Sequence, residues 1–303
     1  MAYINSRLSK WMPASSPVIG VDSKPRLSGI MDTINASDAH GPETKLPAEF
    51  FDEKARSYVD KIAVDEWYSG YLESSEYRRL GIGGLLGDVV DNMVRTAAAG
   101  GWYSGSITSQ GYANADADAE RKKQKAIRFA LSGCHDTTIA GILASMGAFE
   151  DGKWPHFTSS VAIELFSRSS KTDEKEPTRT DTDKAATNGN TSFLSSLLPT
   201  KWTRKPSGMG TARIPLDSLP ESTRKELRSH YVRVRYNDKP VRIPGCAVKP
   251  GNHLPGDDTF CTLEAFKAIV DKFTPRKWSE ECMMNFGEGP FGKDDRFKEV
   301  SGY

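Results

Sequence analysis

No stretch of about 18 consecutive apolar residues occurs in the 303-residue chain, so the sequence offers no membrane-spanning helix. Charge of one sign is also lacking. Lys and Arg number 41 against 40 Asp and Glu, and a net of +1 argues against a nucleic-acid partner, which demands a basic excess. Cysteine is sparse: Cys134, Cys246, Cys261 and Cys282 form no C-x-x-C pair, and no cluster of ligand residues has the spacing of a metal site, so neither zinc nor any other metal is expected. The opening residues hold no apolar core before a small-residue cleavage site and do not read as a secretory signal. The expectation is an intracellular protein, cytoplasmic or mitochondrial, with its cysteines as free thiols, although a bridge among Cys246, Cys261 and Cys282 stays open. No G-x-S-x-G elbow is present, which removes that serine-hydrolase signature.

The first hundred residues carry helical spacing. Leu27, Ile30, Met31 and Ile34 predict a helix over 25–36. Phe50 to Ile62 predicts a second. Leu80, Ile82, Leu85, Leu86, Val89, Val90 and Met93 predict a third over 77–96, weakened at its start by Gly81, Gly83 and Gly84. The pattern changes near residue 125. Ala126 to Leu131 is an apolar run of strand length, Thr137 to Phe149 is helical, and Val161, Ile163 and Leu165 alternate in a strand over 160–166. Strand, helix, strand suggests an α/β unit whose crossover packs on a sheet. Residues 167–184 contain no hydrophobic side chain, so 168–210 is expected to be a disordered insertion. Tyr231–Tyr236 and Val241–Ile243 flank an Asn237-Asp238 turn, a hairpin signal. Thr262 is a candidate N-cap for a helix ending near Phe273.

His135-Asp136 falls where the expected strand ends and the helix begins. Open α/β sheets place ligands at such junctions, and the first helical turn favours an anion there. A histidine can bond a phosphate oxygen, and a protonated carboxyl can pass its proton to a departing alkoxide. The structural alternative is that Asp136 caps the helix and His135 is a satisfied junction residue. On the dipeptide alone that alternative prevails, because short motifs match by chance.

The longer string shifts the balance. Ser132-Gly133-Cys134-His135-Asp136-Thr137-Thr138-Ile139-Ala140-Gly141, then Trp154-Pro155-His156-Phe157 and Ala162-Ile163-Glu164-Leu165-Phe166, resembles the later half of histidine acid phosphatases. The hairpin, Ile243-Pro244-Gly245-Cys246 and Phe260-Cys261-Thr262-Leu263-Glu264 follow the same order, and Ile30-Met31-Asp32, His40-Gly41 and Leu46-Pro47 resemble that family's helical segment. The branch most resembled is the lysophosphatidic-acid-phosphatase type.

The resemblance implies a phosphoglycerate-mutase-like α/β fold, with a mixed or parallel sheet, flanking helices and a helical domain. Residues 1–122 would supply the helical (cap) segment and 123–303 the C-terminal part of the phosphatase core. It implies phosphomonoester hydrolysis without a cofactor, with His135 binding phosphate, Asp136 donating the proton and His40 at the substrate wall. The substrate would be a small phosphate ester or a lysophospholipid phosphate. Cys134 takes no role beyond a small buried residue at the strand end.

One departure matters. The family's nucleophile is a histidine in an Arg-His-Gly motif, attacking phosphorus to form a phosphohistidine. None of His40, His135, His156, His230 and His253 follows an arginine. Two expectations compete: a fragment of an active phosphatase that begins after the family's first strand, or a non-catalytic phosphate-binding or interaction protein. An absent central strand would leave unpaired edges and an uncovered apolar face, which favours the first. Substrate and oligomeric state stay open at this level.

Overall fold

Spacing of three and four decides most of the amino-terminal architecture. In the computed structural model, which describes residues 1–98, 128–149, 152–168, 214–283 and 302, helix α1 spans Ala2–Leu8 and α2 spans Leu27–His40. Leu27, Ile30, Met31 and Ile34 face inward from α2, against Ile4 and Leu8 of α1 and Val59 and Ala63 of α3 (Glu53–Glu73). Asp52 ties this layer together. It caps α3 by accepting from the Ala55 amide at 2.9 Å, accepts from Tyr3 Oη at 3.1 Å, and pairs with Arg7 at 3.3 Å. Those donors, the Ala55 amide foremost, hold its carboxyl below the ordinary range.

The helix expected over 77–96 is two helices, α4 (Ser75–Gly81) and α5 (Gly83–Ala98). At the break, the backbone carbonyl of Phe273 comes so near Gly83 that a Cβ there would sit 2.0 Å from its oxygen. Only glycine allows that approach.

A second core joins Leu86 and Val90 of α5 with Leu143 of α6 (Asp136–Ser145) and Met146 directly after it. Val232 and Val234 of β2 (His230–Tyr236) and Leu263, Phe266 and Val270 of α9 (Leu263–Lys272) complete it. Two shorter helices, α7 (Glu221–Arg228) and α8 (Pro244–Ala247), flank the sheet, and α10 (Trp278–Met283) follows α9. Thr262 caps α9 through its hydroxyl, which accepts from the Ala265 amide at 3.2 Å. Helix α6 is buried on all sides from Ile139 to Ser145, as an all-round apolar helix must be.

The sheet corrects the expected topology. Its strands are β1 (Val161–Ser167), β2, β3 (Lys239–Pro240), β4 (His253–Leu254) and β5 (Asp257–Thr262). They run in the order β1-β2-β5-β4 with β3 on β2, and every pair among the described residues is antiparallel. The protein is therefore a mixed assembly of helices and an antiparallel sheet. No parallel strand-helix-strand unit forms among the described residues. Residues 128–131 take no strand, and Phe129 and Leu131 are 83% and 87% exposed, because no described strand pairs with them; Ala126 and Ile127 lie outside the described residues.

The hairpin forms at Asn237-Asp238, both at positive φ, as a tight turn of that composition favours. Its returning arm is Lys239–Pro240, directly after the turn, and the expected Val241–Ile243 takes no strand.

The cysteine expectation also needs correction. Cys246 and Cys261 are buried side by side with Cα atoms 5.3 Å apart and form a disulfide. Cys134 and Cys282 are free, and Cys134 is exposed rather than buried, since no described residue before it forms a strand. The expected boundary at 122/123 lies outside the described residues, as does the expected insertion apart from Arg168. Among the described residues, no helix is long and apolar enough to cross a membrane.

Candidate active site

Helix α6 sets the position of the His135-Asp136 pair. His135 occupies the N-cap position with extended backbone, and its carbonyl accepts from the Thr138 and Ile139 amides. Its side chain makes no capping bond, and its imidazole is exposed. Asp136 is the first residue of the helix, one place later than a cap, where its negative charge meets the positive end of the helix dipole.

Both oxygens of that carboxylate are engaged. Oδ1 accepts from the Thr137 amide at 2.7 Å, and Oδ2 accepts from the indole Nε1 of Trp154 at 2.6 Å. The side chain is half-buried. Part of the helix-terminal donor set is thus spent within the chain, and the charged carboxylate, not an added anion, takes the Thr137 N–H.

An aromatic shelf from α3 supports Trp154. The Trp154 ring lies 5.0 Å from Tyr68 and 6.1 Å from Trp67, and Tyr68 meets Phe149 edge-on at 5.3 Å. Tyr71 of the same helix lies so close to α6 that a Cβ on Gly141 would stand 3.1 Å from its ring. The Tyr68 hydroxyl is buried without a hydrogen-bond partner among the described residues. Burial first, and then the negative charge of Asp136, push its phenol far above the ordinary range, so it stays protonated as a donor.

The remaining histidines lie apart in bonding terms. His40 ends α2, exposed, and no hydrogen bond or ion pair links it to His135 or Asp136. His156 is exposed in the turn after Trp154-Pro155, where its charge is felt by Asp60. The His230 Nδ1 lies 3.0 Å from the Glu226 carbonyl. His253, expected in a loop, belongs to β4. Among the described residues, no three His, Cys, Asp or Glu side chains converge as a metal site would require.

The sequence reading missed Trp154 as a partner of Asp136. The two are 18 residues apart, and no periodicity connects them. The available signal was a tryptophan directly before proline, where the following ring fixes the turn that aims the indole.

Comparison with known proteins bears on what this site is. The chain is 31% identical over 266 residues to a probable acid phosphatase of Schizosaccharomyces pombe. The chain is similar to an acid phosphatase, and that relationship supports a phosphatase family. The match covers 88% of this chain and 49% of the relative, so the chain spans about half the length of the protein it matches. No family model matches the sequence, and no solved structure matches it.

Proposed function

We propose that this chain carries the acid half of a phosphomonoesterase of the histidine acid phosphatase type, on a phosphoglycerate-mutase-like core with an added helical segment. His135 binds the phosphate, and Asp136 donates the proton to the leaving alkoxide. The observation that supports this most directly is the pair itself: an exposed imidazole and a half-buried carboxylate at the start of a buried helix, in a chain similar to an acid phosphatase. His40 stands as the outlying substrate contact, and the substrate is a small phosphate ester, with a lysophospholipid phosphate as the finer alternative. This reading needs a nucleophilic histidine in an Arg-His-Gly motif, and none of the five histidines here stands in one.

A second reading is a non-catalytic phosphate-binding protein. Two observations favour it. No histidine here follows an arginine, and both Asp136 oxygens already accept N–H bonds from within the chain.

Hydrolysis of an aryl phosphate at acidic pH separates the readings. The chain joined to an upstream Arg-His-Gly segment should turn over, and Asp136→Asn should depress release of the alcohol. Full activity in that variant removes Asp136 from the mechanism. Phosphate binding without turnover, weakened by His135→Ala, supports the second reading.

A further inference from the structure

Helices α7, α8 and α9 line an open cavity of about 350 Å³, and none of its lining residues belongs to α6 or to the Trp154-Pro155 turn. That volume suits one small organic molecule.

Charge within it is uneven. Arg224 and Arg228 of α7 line it together with Lys249, Lys272 and a single carboxylate, Glu264. Glu264 is held from two sides: Arg224 Nε donates to Oε1 at 2.9 Å, and Arg228 Nη1 donates to both oxygens at 3.0 and 3.1 Å. Arg228 also pairs with Glu221 of the same helix, and Arg224 lies 3.9 Å from it. Asp271 nearby is spent on Lys267 at 2.9 Å and on the Leu216 amide at 2.8 Å. Arg224 and Arg228 therefore share two carboxylates, and with Lys249 beside them the cavity keeps a positive excess.

Some donors remain available. Among the described residues, the two terminal amino groups of Arg224 have no hydrogen-bond partner, and the exposed Lys249 ammonium has neither a hydrogen bond nor an ion pair. The floor differs in kind, since Leu216 and Ile269 bring apolar side chains to it. An unsatisfied guanidinium fork and an ammonium above an apolar floor match one ligand chemistry: a carboxylate or phosphate headgroup on a compact apolar body.

We propose that this cavity binds a small organic anion, with its headgroup between Arg224 and Lys249 and its body on Leu216 and Ile269. The assignment does not rest on the phosphatase reading, because it uses none of that site's residues.

Calorimetric titration of the chain with phenyl phosphate, benzoate, inorganic phosphate and benzyl alcohol at low salt tests it. Phenyl phosphate or benzoate should saturate, and the tighter of the two identifies the preferred headgroup. Inorganic phosphate and benzyl alcohol should each bind more weakly, since each lacks one half of the match. Lys249→Glu alters an exposed side chain without a hydrogen bond or ion pair among the described residues, and should weaken binding by about tenfold or more. His135→Ala should leave the affinity unchanged. Absence of saturable binding overturns the proposal. So do benzyl alcohol binding as tightly as the anions, an unchanged affinity in Lys249→Glu, or a loss in His135→Ala that places the anion at the other site.

Discussion

The Trp154 indole donates to Asp136 Oδ2 at 2.6 Å, joining the start of α6 to a turn 18 residues later. Hydrogen bonds to a charged group are worth more than neutral ones, and a half-buried oxygen left without its donor bears the desolvation cost. Trp154→Phe keeps an aromatic body against Tyr68 and removes only the donor. Its expected cost is about 1–3 kcal/mol in urea unfolding. A double-mutant cycle with Asp136→Ala should show coupling between the two residues. Strictly additive losses would mean that the bond contributes nothing to the fold.

Gly83 and Gly84 are neighbours with opposite expectations. A Cβ at Gly83 meets the Phe273 carbonyl at 2.0 Å, whereas a Cβ at Gly84 meets nothing within 4 Å. Gly83→Ala must push α5 from the end of α9 and should cost about 1–3 kcal/mol, as overpacking does. Gly84→Ala should be neutral or gain up to about 1 kcal/mol, because alanine loses less chain entropy. Thermal unfolding of the two variants side by side checks the contrast, and equal effects would refute it.

Those glycines show what the sequence could and could not disclose. Leu86 and Val90 announced a helix by spacing, and they are buried in it; yet nothing in that spacing marks the break at Ile82, which depends on a carbonyl nearly two hundred residues away. Thr262 was legible as a cap because capping is local chemistry, satisfied three residues on. The segment at 128–131 was misread for the converse reason: an apolar run has strand composition, but a strand exists only with a partner, and pairing is not local. At the candidate site the helix start at His135-Asp136 was visible in sequence, though not the absence of a strand among the described residues before it, and the engagement of both Asp136 oxygens was not, since one donor comes from a distant turn.

The Cys246–Cys261 bridge spans 15 residues. Closing a loop of that length in the unfolded chain is worth about 3 kcal/mol in the chain-entropy account. Treatment with a thiol reductant should lower the unfolding temperature, and Cys246→Ala with Cys261→Ala should lower it further through lost packing. An unfolding temperature indifferent to reductant would show that the bridge adds nothing.

Glu164 on β1 sits opposite Arg233 on β2, accepting from it at 2.9 Å and from Arg235 at 3.1 Å. Burial acts to raise its carboxyl, but the two guanidiniums outweigh that and hold it below its ordinary 4.5. A depressed acid stabilises the fold above its unfolded value and ceases to do so as pH falls through the folded one. Glu164→Gln should therefore cost stability at neutral pH and cost progressively less below about 4.5. A deficit that persists undiminished in acid would assign the loss to packing.

Asp60 carries the opposite sign. Its burial in α3 raises the carboxyl above the ordinary 3.8, and Arg56 and His156 offset this only in part. A folded state that binds the proton more tightly than the unfolded chain loses stability as pH climbs through the range between the two values. Asp60→Asn removes the half-buried charge and keeps the shape. It should raise the unfolding temperature at neutral pH, and the gain should shrink as the medium is acidified and the native carboxyl takes up its own proton. Melting curves of the variant and the parent at neutral pH and in acid decide it; a gain that grows on acidification would mean the ionised Asp60 is satisfied by Arg56 and His156 after all.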